Sequence, residues 1–108
     1  MKILAGYGLR ENRLGENSGP TQIKVFIEYG WFSPIVGGVK CESITLPSGA
    51  TVKTLIEHLG EKYGAEAKKY LEMYPFVISR ELIAGIDKPT KKLKDGEWVK
   101  ILAPIEGG

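Results

Sequence analysis

Val52, Leu55, Ile56, Leu59 and Tyr63 recur at helical spacing, while the other apolar runs of this chain alternate with period two. One amphipathic helix among short alternating strands restricts the fold to a sheet with its apolar face under that helix. Pro47-Ser48-Gly49-Ala50-Thr51 precedes the stripe as a turn, and Thr51 is placed to accept from the N–H groups of the first helical turn. Gly64 is positioned to end the helix in the left-handed conformation. Gly60 weakens its interior by about 1 kcal/mol, which leaves an earlier break open. Ala65 to Tyr74 reads as a second helical piece, stopped by Pro75.

The strands follow from alternation. In Ile23–Tyr29, Ile23, Val25, Ile27 and Tyr29 face one way and Lys24, Phe26 and Glu28 the other. A turn-rich stretch with Ser33-Pro34 and Gly37-Gly38 leads to Cys41–Leu46, with Ile44 and Leu46 inward, and the two runs predict an antiparallel hairpin. Phe76–Ser79 and Leu82–Ala84 read as a third strand and a short fourth. The Lys94-Asp95-Gly96-Glu97 turn introduces the last, Trp98–Leu102. Segregated helix and sheet means α+β. With the first and last strands side by side, the expected architecture is a β-grasp: a mixed sheet of four to five strands with one main helix on one face.

A length of 108 residues suits one domain. The Gly- and polar-rich residues 1–22 read as an extension, either a mobile tail or a short extra strand at Lys2–Ala5, before a domain at 23–108. Gly6-Tyr7-Gly8 lacks the third glycine and preceding strand of a nucleotide loop. A net charge of +2, with Lys91, Lys92 and Lys94 followed by Asp95 and Glu97, argues against a nucleic-acid partner. No apolar run is long enough to span a membrane, and the N-terminus lacks a signal-peptide core. The single cysteine, Cys41, excludes an internal disulfide, and the expected compartment is the cytoplasm.

Ala103-Pro104-Ile105-Glu106-Gly107-Gly108 follows the last strand directly. Pro104 keeps this segment out of the sheet. Together with the opening strand, Leu46-Pro47-x-Gly49-x-Thr51-Val52, Leu55-Ile56-x-x-Leu59 and Leu93-Lys94-Asp95-Gly96-Glu97-Trp98-Val99-x-Ile101, it makes residues 23–108 resemble the ubiquitin-like sulfur carriers. These comprise the molybdopterin synthase small subunit (MoaD) and the thiamine-pathway carrier ThiS. The resemblance is nearest the small subunit, whose tails commonly carry two prolines and a small residue where this chain has Ala103-Pro104 and Glu106.

The resemblance implies a mechanism. An ATP-using, ubiquitin-activating-like enzyme of the MoeB or ThiF type adenylates the carboxylate of Gly108. Sulfur from a persulfide donor then displaces AMP, and the thiocarboxylate donates its sulfur in a cofactor pathway. The chain itself would be a carrier rather than an enzyme, with no cofactor or metal bound, although it could serve as the small subunit of molybdopterin synthase beside a large subunit. Molybdenum- or tungsten-cofactor synthesis is the first expectation; thiamine, cysteine and transfer-RNA thiolation stay open. So do a ubiquitin-like protein modifier and a plain β-grasp adaptor.

Physical reasons agree with those residue types. A free α-carboxylate, with a pKa of roughly 3.5, is an anion at pH 7 and a poor acyl donor until activated. Gly107 and Gly108 carry no Cβ, so the backbone can thread a narrow channel. If the first and last strands pair, Phe26 stands beside Trp98 and Leu102 on the sheet face away from the helix. These three, with Pro104 and Ile105 of the tail, are the expected partner contacts unless residues 1–22 or the Trp31–Pro34 loop covers them. His58 lies off the apolar stripe and reads as solvated. No second histidine supports a metal site or triad, and Cys41 has no nearby base.

Overall fold

The computed structural model describes residues 21–103. The extension read at residues 1–22 and the tail residues Pro104, Ile105, Gly107 and Gly108 lie outside them, apart from Thr21 and Gln22. Strand β1, Gln22–Glu28, pairs antiparallel with β2, Cys41–Pro47, with Val25 opposite Ile44. Strand β5, Trp98–Ile101, lies parallel to the other side of β1. Strand β3, Phe76–Ile78, pairs antiparallel with both β5 and β4, Glu81–Ile83. The five-stranded order is β2-β1-β5-β3-β4, a mixed sheet as expected.

The expected alternation sets which face is buried. Ile23, Val25, Ile27 and Tyr29 from β1 and the residue after it join Ile44 and Leu46 of β2 and Val99 and Ile101 of β5 in one core. Helix α1, Val52–Tyr63, closes that core with Val52, Leu55, Ile56 and Leu59. Thr51 caps it reciprocally: its hydroxyl accepts from Thr54 N–H at 3.4 Å, and its own N–H donates to Thr54 Oγ1 at 3.1 Å. The Asp95-Gly96 turn fixes the register of β5. Lys24 N–H donates to Asp95 Oδ1 at 2.8 Å, Gly96 N–H to Lys24 C=O at 2.7 Å, and Phe26 N–H to Glu97 C=O at 2.9 Å.

The second helical piece is present as expected: α2, Ala65–Met73, follows α1 and adds Ala67 and Leu71 to the core. Where the two helices meet, and elsewhere, local features differ from the sequence reading. Gly64 between them is not in the left-handed helical region; its φ of 109° and ψ of 170° place it where glycine alone is at ease, and the chain turns sharply there. Helix α1 runs through Gly60 without a break. A Cβ on Gly60 would meet Lys68 Cβ at 2.9 Å, so the glycine is what lets α1 and α2 approach. The turn-rich stretch after β1 is a 3-10 helix, Gly30–Val36, that buries Phe32, Ser33 and Val36. A second 3-10 helix, Gly85–Thr90, fills much of the loop before β5. Strand β3 ends before Ser79 because Ser79 and Arg80 take positive φ in the two-residue hairpin to β4.

Candidate functional site

The outward positions of β1 and β5 meet on the face away from the helices. Phe26 pairs with Trp98 in register, and their rings stack at 5.9 Å with 22° between planes. Trp98 is 47% exposed, so nothing among the described residues buries the pair. Its indole N–H donates to Glu28 Oε1 at 3.0 Å, which fixes the ring's orientation, and the same carboxylate faces Lys100 at 4.0 Å. Val77 of β3, opposite Lys100, and the exposed Leu82 of β4, opposite Val77, continue the face outward.

Leu102 does not stand beside Phe26. The parallel ladder ends at the pair Glu28 and Lys100, and Leu102 lies beyond β5, half-buried, donating its N–H to Pro75 C=O at 3.0 Å. The Trp31–Pro34 segment does not cover the aromatic pair either. Trp31 instead packs edge-on against Phe32 and Tyr74, with centroids at 5.5 and 5.0 Å, and Tyr74 stacks on Tyr70. Trp31 Nε1 donates to Ile101 C=O at 3.1 Å, at the point where the chain leaves the sheet.

On the inner face, at the open edge of β2, Glu42 carries a network that sequence reading passed over. Its carboxylate accepts from Tyr29 Oη at 2.5 Å, Tyr63 Oη at 2.6 Å and Lys62 Nζ at 2.6 Å. The alternation that sends Ile44 and Leu46 inward sends Glu42 inward too, which was the available signal. Burial works to raise its pKa, but the hydrogen bonds from Lys62, Tyr29 and Tyr63 together outweigh it and hold the group below the usual 4.5. Burial, then the Glu42 carboxylate, push Tyr29 up.

Because the folded pKa of Glu42 is depressed, its contribution to stability is complete above 4.5 and is lost as pH falls below that value through the folded pKa. Glu42→Ala is expected to cost about 2 kcal/mol at neutral pH, since the hydroxyls of Tyr29 and Tyr63 lose their acceptor. Its unfolding midpoint in urea should fall less steeply than that of the wild type as the pH drops below 4.5. Equal acid sensitivity in the two proteins would contradict this.

The remaining candidates do not assemble into a chemical centre. Cys41 is exposed at the start of β2. His58 is exposed on α1, as expected. Among the described residues no group of three or more His, Cys, Asp and Glu side chains is placed to hold a metal ion. No helix there is long and apolar enough to cross a membrane. A hollow of about 300 Å³ between α1, α2 and the second 3-10 helix is lined by Lys53, Ile56, Glu57, Glu72, Gly85, Lys88 and Pro89. Its one buried polar side chain, Lys88, directs its ammonium to backbone carbonyls of α2 and the residue after it.

Comparison with known proteins agrees with this arrangement. The chain is similar in structure to the Pyrococcus furiosus protein assigned as molybdopterin converting factor, subunit 1. The TM-score is 0.59 and the identity 25%, over 77% of this chain and 99% of that one. The HVO 2177 protein of Haloferax volcanii matches with a TM-score of 0.65 at 18% identity, over 86% of this chain and 93% of its own. The small archaeal modifier protein 1 of Methanosarcina acetivorans matches at 0.60 and 19%, over 82% and 100%. At those identities the last two speak to the β-grasp fold alone. No curated protein matches the sequence. The ThiS family profile matches residues 29–108, and with three quarters of its length inside that match the chain belongs to the ThiS family.

Proposed function

We propose that this chain is a sulfur carrier whose Gly108 carboxylate is adenylated by a ubiquitin-activating-like enzyme and converted to a thiocarboxylate with sulfur from a persulfide. ATP belongs to that enzyme, and Gly107 lets the tail pass through its channel. The acceptor is the large subunit of a molybdopterin synthase, so the sulfur goes to the molybdenum or tungsten cofactor. The observation that carries the reading is the family match, which includes the Gly107-Gly108 pair. The likeness to the Pyrococcus furiosus molybdopterin converting factor subunit favours that pathway over thiamine synthesis.

The face bearing Phe26 and Trp98 suits the docking step. The stacked pair, with Trp98 exposed, provides a rigid aromatic anchor, and Trp98 lies on the strand that feeds the tail. Pro104 and Ile105 would then enter the partner behind that anchor.

Exchange of labelled pyrophosphate into ATP, catalysed by a ubiquitin-activating-like adenylating enzyme from the same cells, tests the reading. Exchange that depends on the chain supports it, and none at saturating carrier contradicts it. Trp98→Ala should raise the KM for the carrier by about 30-fold, from about 2 kcal/mol of lost anchoring, with kcat within about twofold of wild type. An unchanged KM would remove the sheet face from the interface.

A further inference from the structure

The last peptide unit of β5 is held from both sides. Its C=O belongs to Ile101 and accepts from Trp31 Nε1 at 3.1 Å; its N–H belongs to Leu102 and donates to Pro75 C=O at 3.0 Å. The first of these contacts fills a vacancy in the ladder. Phe26 N–H donates to Glu97 C=O, and the two-residue step of a parallel ladder assigns Ile101 C=O to the N–H of Gly30. Gly30 has already left the strand, with φ of 55° at the start of the 3-10 helix. The indole of the next residue takes the place of the missing main-chain donor.

The donor is itself braced. Trp31 is 40% exposed, yet its ring packs edge-on between Phe32, which is fully buried, and Tyr74, which stacks on Tyr70 with 7° between planes. Tyr74 also precedes Pro75, whose carbonyl holds the other side of the same peptide plane. One aromatic cluster therefore carries both jaws of the clamp.

We propose that Trp31 is a positioning residue for the C-terminal tail: with Pro75 it fixes the Ile101–Leu102 peptide plane, and so the direction in which the reactive end is presented to the adenylating enzyme. Ala103 and the tail follow this plane directly, so the plane sets where the six residues after Leu102 begin and in which direction they set out. Reaction rates respond to misplacements of about 1 Å. The inference rests on the carrier reading, and it concerns the step after docking. Phe26 and Trp98 determine how tightly the carrier binds; Trp31 determines how often the docked tail is aligned.

Trp31→Phe keeps a ring against Phe32 and Tyr74 and removes the donor. In the pyrophosphate-exchange assay kcat should fall by about 3- to 10-fold with KM for the carrier unchanged, the range for one lost hydrogen bond. By nitrogen-15 relaxation the Leu102 and Ala103 amides should become more mobile than in wild type. Unchanged kcat and unchanged amides in the variant overturn the inference, and so does a raised KM at constant kcat, which would make Trp31 a docking contact. Should the variant not fold, hydrogen exchange of the wild-type Trp31 indole N–H decides: protection supports the clamp, and exchange at the solvent rate overturns it. If the wild-type carrier drives no exchange at all, the carrier reading fails, while the amide and indole measurements still decide whether the clamp exists.

Discussion

One alanine added after Gly108 is expected to lower the rate of adenylation at least about a hundredfold while leaving the fold and the docking affinity as they were. The added residue moves the carboxylate about 3.5 Å along an extended chain, and displacements of about 1 Å already cost two orders of magnitude in rate. It also places a Cβ where Gly108 has none, against both the adenylate and the incoming sulfur nucleophile. The docking face is untouched, because Phe26 and Trp98 lie on β1 and β5 and stack within the sheet. Pyrophosphate exchange and titration calorimetry on the same preparation separate the two effects. Exchange at the wild-type rate from the extended chain would show that the terminus is not the reacting group.

Lys88→Met is expected to destabilise the fold by about 3 kcal/mol at pH 7 without changing adenylation by the molecules that remain folded. Lys88 is 4% exposed, and its ammonium donates to the carbonyls of Leu71, Glu72 at 3.2 Å and Tyr74 at 2.7 Å. These are carbonyls at the C-terminal end of α2, where the helix supplies no donors and its dipole is negative. The same ammonium lies 4.3 Å from the centre of the Phe76 ring. Methionine fills the space of the side-chain stem but leaves those acceptors buried and unpaired. Burial pushes Lys88 down to about 8, with the Glu72 carboxylate working against it. At pH 7 both the folded and the unfolded chain hold the proton, so the loss reports missing contacts rather than titration. Urea unfolding measures it, and a change below about 0.5 kcal/mol would mean that the ammonium is not what completes α2.

What the sequence made legible was whatever repeats with a period. Ile23, Val25, Ile27 and Tyr29 alternate and are all buried; Val52, Leu55, Ile56 and Leu59 fall on one helical stripe and are all buried. The pairing of Phe26 with Trp98 follows from the same alternation once β1 and β5 are neighbours. The 3-10 helix Gly30–Val36 has too few turns to show a period, and its Ser33-Pro34 pair reads as a turn. Trp31 was hidden for that reason, although its partner carbonyl is 70 residues away and no local pattern could have named it. Lys88 sits among charged and turn residues, and its role depends on where α2 ends in space. Glu42 was readable, as a charge on the inward side of an alternating strand, but its three donors come from the residue after β1 and from the last turn of α1. The tail residues Pro104, Ile105, Gly107 and Gly108 entered the argument through sequence and family, because they lie outside the described residues.

The most direct measurement is the mass of the C-terminal peptide from the chain purified from its own cells, where the sulfur donor and activating enzyme are present together. A sulfur carrier yields a fraction of peptide ending in Gly107-Gly108 that is heavier by the difference between sulfur and oxygen, about 16 Da, and that returns to the unmodified mass once its sulfur is transferred. Peptide found only at the unmodified mass, or joined through Gly108 to lysines of other proteins, would contradict sulfur transfer; the second result would identify a protein modifier instead.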